Sequence, residues 1–192
     1  MNLPNKLTVL RMALIPVFLV FLLADGIPHA YLFAAAVFAA ASFTDYLDGH
    51  IARRDGLVTN FGKLMDPLAD KLLVFSALIC FIPKGRASAL AVFIILAREL
   101  LVTSVRLIAA EQGRVIAADI WGKLKTVFQI IWVLYTLLAM WVTWSLLPPS
   151  PESYSVWFFI GDVALQAVVV LLTVLSGVNY VWKNRDLLSD VK

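Results

Sequence analysis

A chain of 192 residues has the length of one domain, but 61% hydrophobic and 15% charged residues, with a mean hydropathy of +0.88, exclude an ordinary soluble protein. Lipid is the solvent that this composition fits. The net charge of +3 reads as membrane sidedness and not as a nucleic-acid footprint.

In chain order, the first apolar stretch is at 8–24, behind Lys6 and Arg11. It reads as a membrane helix and not as a cleaved signal, because five more apolar segments follow and no small-residue cleavage pattern comes after Leu23. The residues before it, with Pro4 near a helix start, fit either a short interfacial segment or an ordinary charged flank. The second stretch, 30–44, falls short of the roughly 20 residues that span a bilayer. No proline or convincing stop interrupts it before Gly56, so its helix should run out past the membrane surface. A connection at 54–65, bracketed by Gly56 and Gly62, leads to Asp66 and Pro67 as cap and first residue of a third helix, apolar over 68–82. Stretches at 88–110, 121–147 and 156–182 complete the set. The expected fold is all-α, a polytopic membrane protein with six transmembrane helices. With no repeat, low-complexity tract or long linker, residues 1–192 are read as a single domain. Cys80 lies in an apolar helix and has no second cysteine to pair with.

Lysine and arginine beside short loops favour the cytoplasmic face. Of the sixteen, only Lys84 and Arg86 fall on the far side, and Arg98 lies inside an apolar segment. Both termini are therefore expected in the cytoplasm, in a multi-pass protein of the inner membrane.

The chemistry concentrates in Asp45, Asp48, Asp66 and Asp70. Ionisable groups at a membrane helix are expensive without a polar cavity or partner. Asp45 and Asp48 are three apart on one helix, and Asp66 and Asp70 are four apart on the next, so each pair shares a face. Converging carboxylates repel one another unless cations lie between them. An all-oxygen set suits a hard ion, Mg²⁺ or Mn²⁺, over zinc. Two ions held in this way suit displacement at phosphorus. From the residues alone a second reading stands beside this one, a solvated helix end neutralised by Arg53, Arg54, Lys63 and Lys71. His50, a lone histidine, is read as a surface or headgroup-level residue.

These residues spell D-x2-D-G-x2-A-R-x8-G-x3-D-x3-D from Asp45 to Asp70, which resembles the signature of the CDP-alcohol phosphotransferase family. The resemblance implies the six-helix membrane fold of that family, with Asp45, Asp48 and Asp66 holding two divalent ions. It implies that Asp70 contributes to the second ion and serves as the general base. Gly49, Arg53 and Thr59 would bind the CDP part of the donor, and the protein would be a homodimer.

A narrower resemblance rests on Pro4-Asn5, Thr8, Arg11, Ala97-Arg98-Glu99, Thr103, Arg106 and Gly122-Lys123-Leu124-Lys125-Thr126. It is similar to the family members that join CDP-diacylglycerol to glycerol 3-phosphate and release CMP. An acceptor phosphate calls for a basic pocket, for which Arg98, Arg106, Lys123 and Lys125 are the candidates. The competing reading pairs Arg98 with Glu99 or a motif aspartate. Another alcohol acceptor, and a divalent-cation transporter in place of an enzyme, are the alternatives. Transporter sites lie near the midplane of inverted repeats, which this sequence lacks.

Overall fold

A computed structural model describes residues 3–24, 26–55, 60–114, 116, 119–146 and 152–185, with side chains except at 3, 4, 45–64, 66, 67, 70 and 152–155. The described residues form six α-helices: α1 (Leu3–Leu23), α2 (Ala30–Asp55), α3 (Asn60–Phe81), α4 (Ala89–Glu111), α5 (Ile120–Ser145) and α6 (Glu152–Lys183). Among them no strand occurs. By length and composition, three described segments are apolar enough to cross a membrane: Asn5–Leu23, Ile120–Ser145 and Val156–Lys183. The apolar parts of α2 and α3, Ala30–Thr44 and Lys71–Phe81, are shorter, because the remainder of each helix carries the charged motif.

Successive helices reverse direction, so the bundle has two chemically different ends. One, the acidic-motif end, gathers the start of α1, the end of α2, the start of α3, the end of α4, the start of α5 and the end of α6. The far end holds the other termini. There the turn after α3 uses Gly85 at φ +66°, with Gly85 N–H donating to the Ile82 carbonyl at 3.0 Å. Gly113, at φ +72°, closes α4 in the same way at the acidic-motif end, its N–H 3.0 Å from the Ala110 carbonyl. A side chain at either position would strain the left-handed backbone.

The core is apolar and fed by all six helices. Phe18 of α1 meets Phe38 of α2 with ring centroids 5.7 Å apart, and Phe81, Ile95, Trp132, Leu137 and Val169 extend the same cluster. Lipid and not water is the medium for the outward apolar side chains, such as Phe93, Leu107 and Val178. α1 packs on α2 and α3, α2 on α5, and α6 on α4 and α5.

One sequence expectation is corrected. The third helix begins at Asn60, not at Asp66 and Pro67, so Pro67 lies inside α3 and the connection shrinks to 56–59. Proline costs a helix one backbone hydrogen bond, and membrane helices tolerate that loss where neighbouring groups satisfy the freed carbonyl. The short connection keeps α2 and α3 antiparallel neighbours. The N-terminal residues also settle into a definite form, since α1 runs unbroken from Leu3. No separate interfacial segment precedes it among the described residues.

Candidate active site

Asp45, Asp48, Gly49 and Arg53 occupy the last turns of α2, and Asp66 and Asp70 the first half of α3. The side chains of all six, and Thr59 altogether, lie outside the described residues. What the fold supplies is their register. Two antiparallel helices joined by four residues bring both acid pairs to one end of the bundle, beneath the start of α1.

α1 adds a polar stripe there. Asn5, Thr8 and Arg11, spaced three apart, are 9%, 1% and 0% exposed, on the helix that packs against both α2 and α3. Buried polar groups within a membrane bundle require polar surroundings, so this stripe borders the motif and is more than a topological charge. The sequence showed the residues but not their burial, and their regular spacing on a membrane helix is the signal that could have shown it.

Beside α3 stands a second polar group. Glu99 of α4 accepts from Arg98 Nη1 at 2.8 Å and from Lys125 Nζ of α5 at 2.6 Å, both on Oε1. Lys125 is 3% exposed. Glu99 and Lys125 border a water-sized cavity of about 30 Å³ with Lys71, Thr126 and Gln129. Lys71 follows Asp70 directly in α3, so the cavity lies one residue along the helix from the last aspartate of the motif.

Arg98 reaches its place through two glycines. A Cβ at Gly177 of α6 would lie 3.1 Å from Arg98 Cγ, and one at Gly122 of α5 would lie 3.4 Å from its Nη2. Among the described residues, Arg98 Nε and Gln129 Nε2 are buried with no hydrogen-bond partner.

The four basic candidates thus divide. Arg98 pairs with Glu99, as the competing sequence reading anticipated, and Glu99 also takes Lys125, which that reading left as a flank of the membrane helix. Arg106 is exposed with its guanidinium carbon 5.8 Å from the Tyr180 ring centroid, and Lys123 is exposed on the first turn of α5. Neither is joined to Glu99 among the described residues. Asp119, missed by the sequence reading, caps α5 by accepting from Ile120 N–H at 2.9 Å. It also accepts from Asn179 Nδ2 and lies 3.6 Å from Lys183 Nζ, locking the end of α6 to the start of α5.

A family model described as CDP-alcohol phosphatidyltransferase matches residues 1–178. The chain is 44% identical to the CDP-diacylglycerol–glycerol-3-phosphate 3-phosphatidyltransferase of Bacillus subtilis (strain 168), over 97% of both chains. It is 41% identical to a probable phosphatidylglycerophosphate synthase of Mycobacterium tuberculosis (strain H37Rv), over 94% of this chain and 80% of that one. The Rickettsia bellii CDP-diacylglycerol–glycerol-3-phosphate 3-phosphatidyltransferase is 34% identical over 93% of both. With its aspartates drawn to one end of a six-helix membrane bundle and a match that spans nearly its whole length, the chain belongs to the CDP-alcohol phosphatidyltransferase family.

Proposed function

We propose that this chain transfers the phosphatidyl group of CDP-diacylglycerol to glycerol 3-phosphate, yielding phosphatidylglycerophosphate and CMP. The observation that carries the reading is the 44% identity, over 97% of both chains, to a relative named for this activity. The unbroken aspartate signature across the α2–α3 connection supports it.

In this reading the acceptor hydroxyl loses its proton to the Asp70 carboxylate as its oxygen attacks the lipid-bearing phosphorus. The bond from that phosphorus to the CMP oxygen breaks, and CMP leaves as a phosphate. The hydroxyl pKa lies far above 7, so a base aimed at it is needed. Asp45, Asp48, Asp66 and Asp70 form an all-oxygen donor set that fits two Mg²⁺ or Mn²⁺ ions, which when bound supply positive charge to offset the diphosphate. Gly49 gives the nucleotide close approach, while Arg53 and Thr59 hold its phosphates and ribose side. The acceptor phosphate is held by Arg98 and Lys125, already oriented by Glu99, with Arg106 and Lys123 at the outer rim.

The protein is read as one domain over 1–192, a homodimer, with termini and site on the cytoplasmic side of the inner membrane. That sidedness follows the basic residues flanking the acidic-motif end. Cysteines introduced at positions 57 and 115 should be labelled only from the cytoplasm, and those at 85 and 151 only from outside. Purified protein given CDP-diacylglycerol, glycerol 3-phosphate and Mg²⁺ should release CMP and form phosphatidylglycerophosphate. No CMP release with any alcohol would overturn the enzyme reading, and preference for inositol or serine would overturn only the acceptor.

A further inference from the structure

The far end of the bundle carries a polar cavity that the acidic site does not use. It encloses about 590 Å³ between the α1–α2 turn, the turn after α3 and the end of α5. Its polar side chains are His29, Tyr31, Lys84, Arg86 and Ser145. Each of them can donate a hydrogen bond, and among the described residues no carboxylate lines the cavity.

Lys84 and Arg86 are the two basic residues at this end, and cations on the far side run against the charge asymmetry of membrane proteins. Both converge on the one cavity. Arg86 has its use in the Asp162 carboxylate, 3.0 Å away. Lys84 has no carboxylate partner among the described residues. Its Nζ donates to the Tyr31 hydroxyl at 3.4 Å and lies 5.4 Å from the centroid of that ring. A neutral hydroxyl orients the ammonium without offsetting its charge.

The α1–α2 turn adds a further donor. His29 holds φ +55°, a left-handed backbone that a residue other than glycine adopts at a cost, and its Nδ1 accepts from Trp141 Nε1 at 3.0 Å. In the neutral ring the proton then sits on Nε2, which fixes the imidazole as a donor. α2 begins at Ala30 in the same lining, and the positive end of its dipole adds to the field.

The level of the cavity points to the anion. Trp144, 75% exposed, and Ile27, 37% exposed, also line it, and exposed tryptophan marks the headgroup layer. Phosphate is the anion that phospholipids carry in that layer. We infer that this cavity binds the phosphate of an anionic phospholipid in the far leaflet, with Lys84 as its charge partner and His29, Tyr31 and Ser145 donating beside it. A zwitterionic headgroup brings its own cation toward Lys84 and Arg86, so a neutral glycerol headgroup is preferred to choline. The site lies at the opposite end from the aspartates and does not rest on the proposed transfer.

The test measures binding to the purified full chain in uncharged detergent, with dihexanoylphosphatidylglycerol, dihexanoylphosphatidylcholine and inorganic phosphate as probes. On the unaltered protein, phosphatidylglycerol should bind about tenfold more tightly than phosphatidylcholine, a comparison that needs no variant. Lys84→Gln should weaken the phosphatidylglycerol Kd about tenfold, and Lys84→Arg should return it to within about twofold. Unchanged melting temperatures without lipid show that both variants are folded. Equal binding of the two lipids overturns the inference. So does a Kd that Lys125→Ala weakens and Lys84→Gln does not, since the lipid then sits at the acidic-motif end. Inorganic phosphate bound in a Lys84-dependent way, with no lipid bound, gives the cavity to a soluble anion and overturns the lipid assignment. Asp25 lies outside the described residues, between Ala24 and Gly26 of the lining. Lipid binding that appears only in Asp25→Asn makes that carboxylate the partner of Lys84 and overturns the inference likewise. Absence of CMP release by the unaltered protein is a separate result that removes the functional reading and leaves this one standing.

Discussion

The two ends of the bundle both bury charge, yet they do so in different ways. At the far end Arg86 Nη1 donates to Asp162 Oδ2 at 3.0 Å and Thr136 Oγ1 donates to Asp162 Oδ1 at 2.6 Å, with Asp162 1% exposed. One cation meets one carboxylate, a hydroxyl takes the second oxygen, and the account closes. At the acidic-motif end, one carboxylate oxygen of Glu99 serves two cations, Arg98 Nε and Gln129 Nε2 have no partner among the described residues, and four aspartates gather on adjoining helix ends. Balanced burial fastens α3, α5 and α6 together. Unbalanced burial leaves capacity for charged ligands, and this difference separates a clamp from a site.

The comparison is tested most severely at the aspartates. Asp45→Ala, Asp48→Ala or Asp66→Ala should each abolish CMP release at ordinary metal concentrations while leaving yield and thermal stability unchanged. Full activity in two of the three would remove the metal assignment. Asp70→Asn, which keeps shape but cannot take a proton, should lower kcat by about 10²–10⁴ with donor affinity nearly constant. Normal turnover with lost donor binding would reassign Asp70.

At the far end the signs reverse. Asp162→Ala leaves Arg86 without its carboxylate, and losing one member of a buried pair costs about 3–5 kcal/mol. Arg86 keeps 14% side-chain exposure, which discounts the cost to about 3 kcal/mol or less. A lowered melting temperature in detergent, with KM values unchanged in the surviving enzyme, is the expected outcome. A selective kinetic defect would make the far end part of the site. The smallest effect is at the acceptor subsite. Lys125→Ala should raise KM for glycerol 3-phosphate about tenfold, about 1.4 kcal/mol, with Arg106→Ala weaker because Arg106 lies at the rim. Unchanged KM in Lys125→Ala would leave the Glu99 cluster a structural device like its far-end counterpart.

Much of this was legible before any coordinates. Helix number follows from apolar stretches of membrane length, and the chemistry from aspartates at helical spacing whose cost demands a use. The start of α3 was not legible, because Asp66-Pro67 reads locally as a cap and first turn while the fold carries the helix six residues further back. Nor was the far-end clamp. Arg86 and Asp162 are 76 residues apart, and periodicity within one helix says nothing about which side chains meet across a bundle. Arg11 misled in another way, since a basic residue at the mouth of a membrane helix obeys the sidedness rule whether it faces headgroups or, as here, is 0% exposed.

The passage of Arg98 between Gly122 and Gly177 also bears on how this sequence can drift. The two glycines and the arginine sit on three helices, and the space that one position lacks is the volume that another fills. Alanine at 177 would press a methyl to 3.1 Å of the Arg98 stem, a contact tolerable only if that stem shifts or shortens. Positions 98 and 177 therefore form one unit of inheritance, whereas a Cβ at 122 would meet Arg98 Nη2 at an ordinary 3.4 Å. A lineage that replaces the arginine frees Gly177 to vary, and one that keeps it holds that glycine fixed, so the two should change together across descendants or not at all.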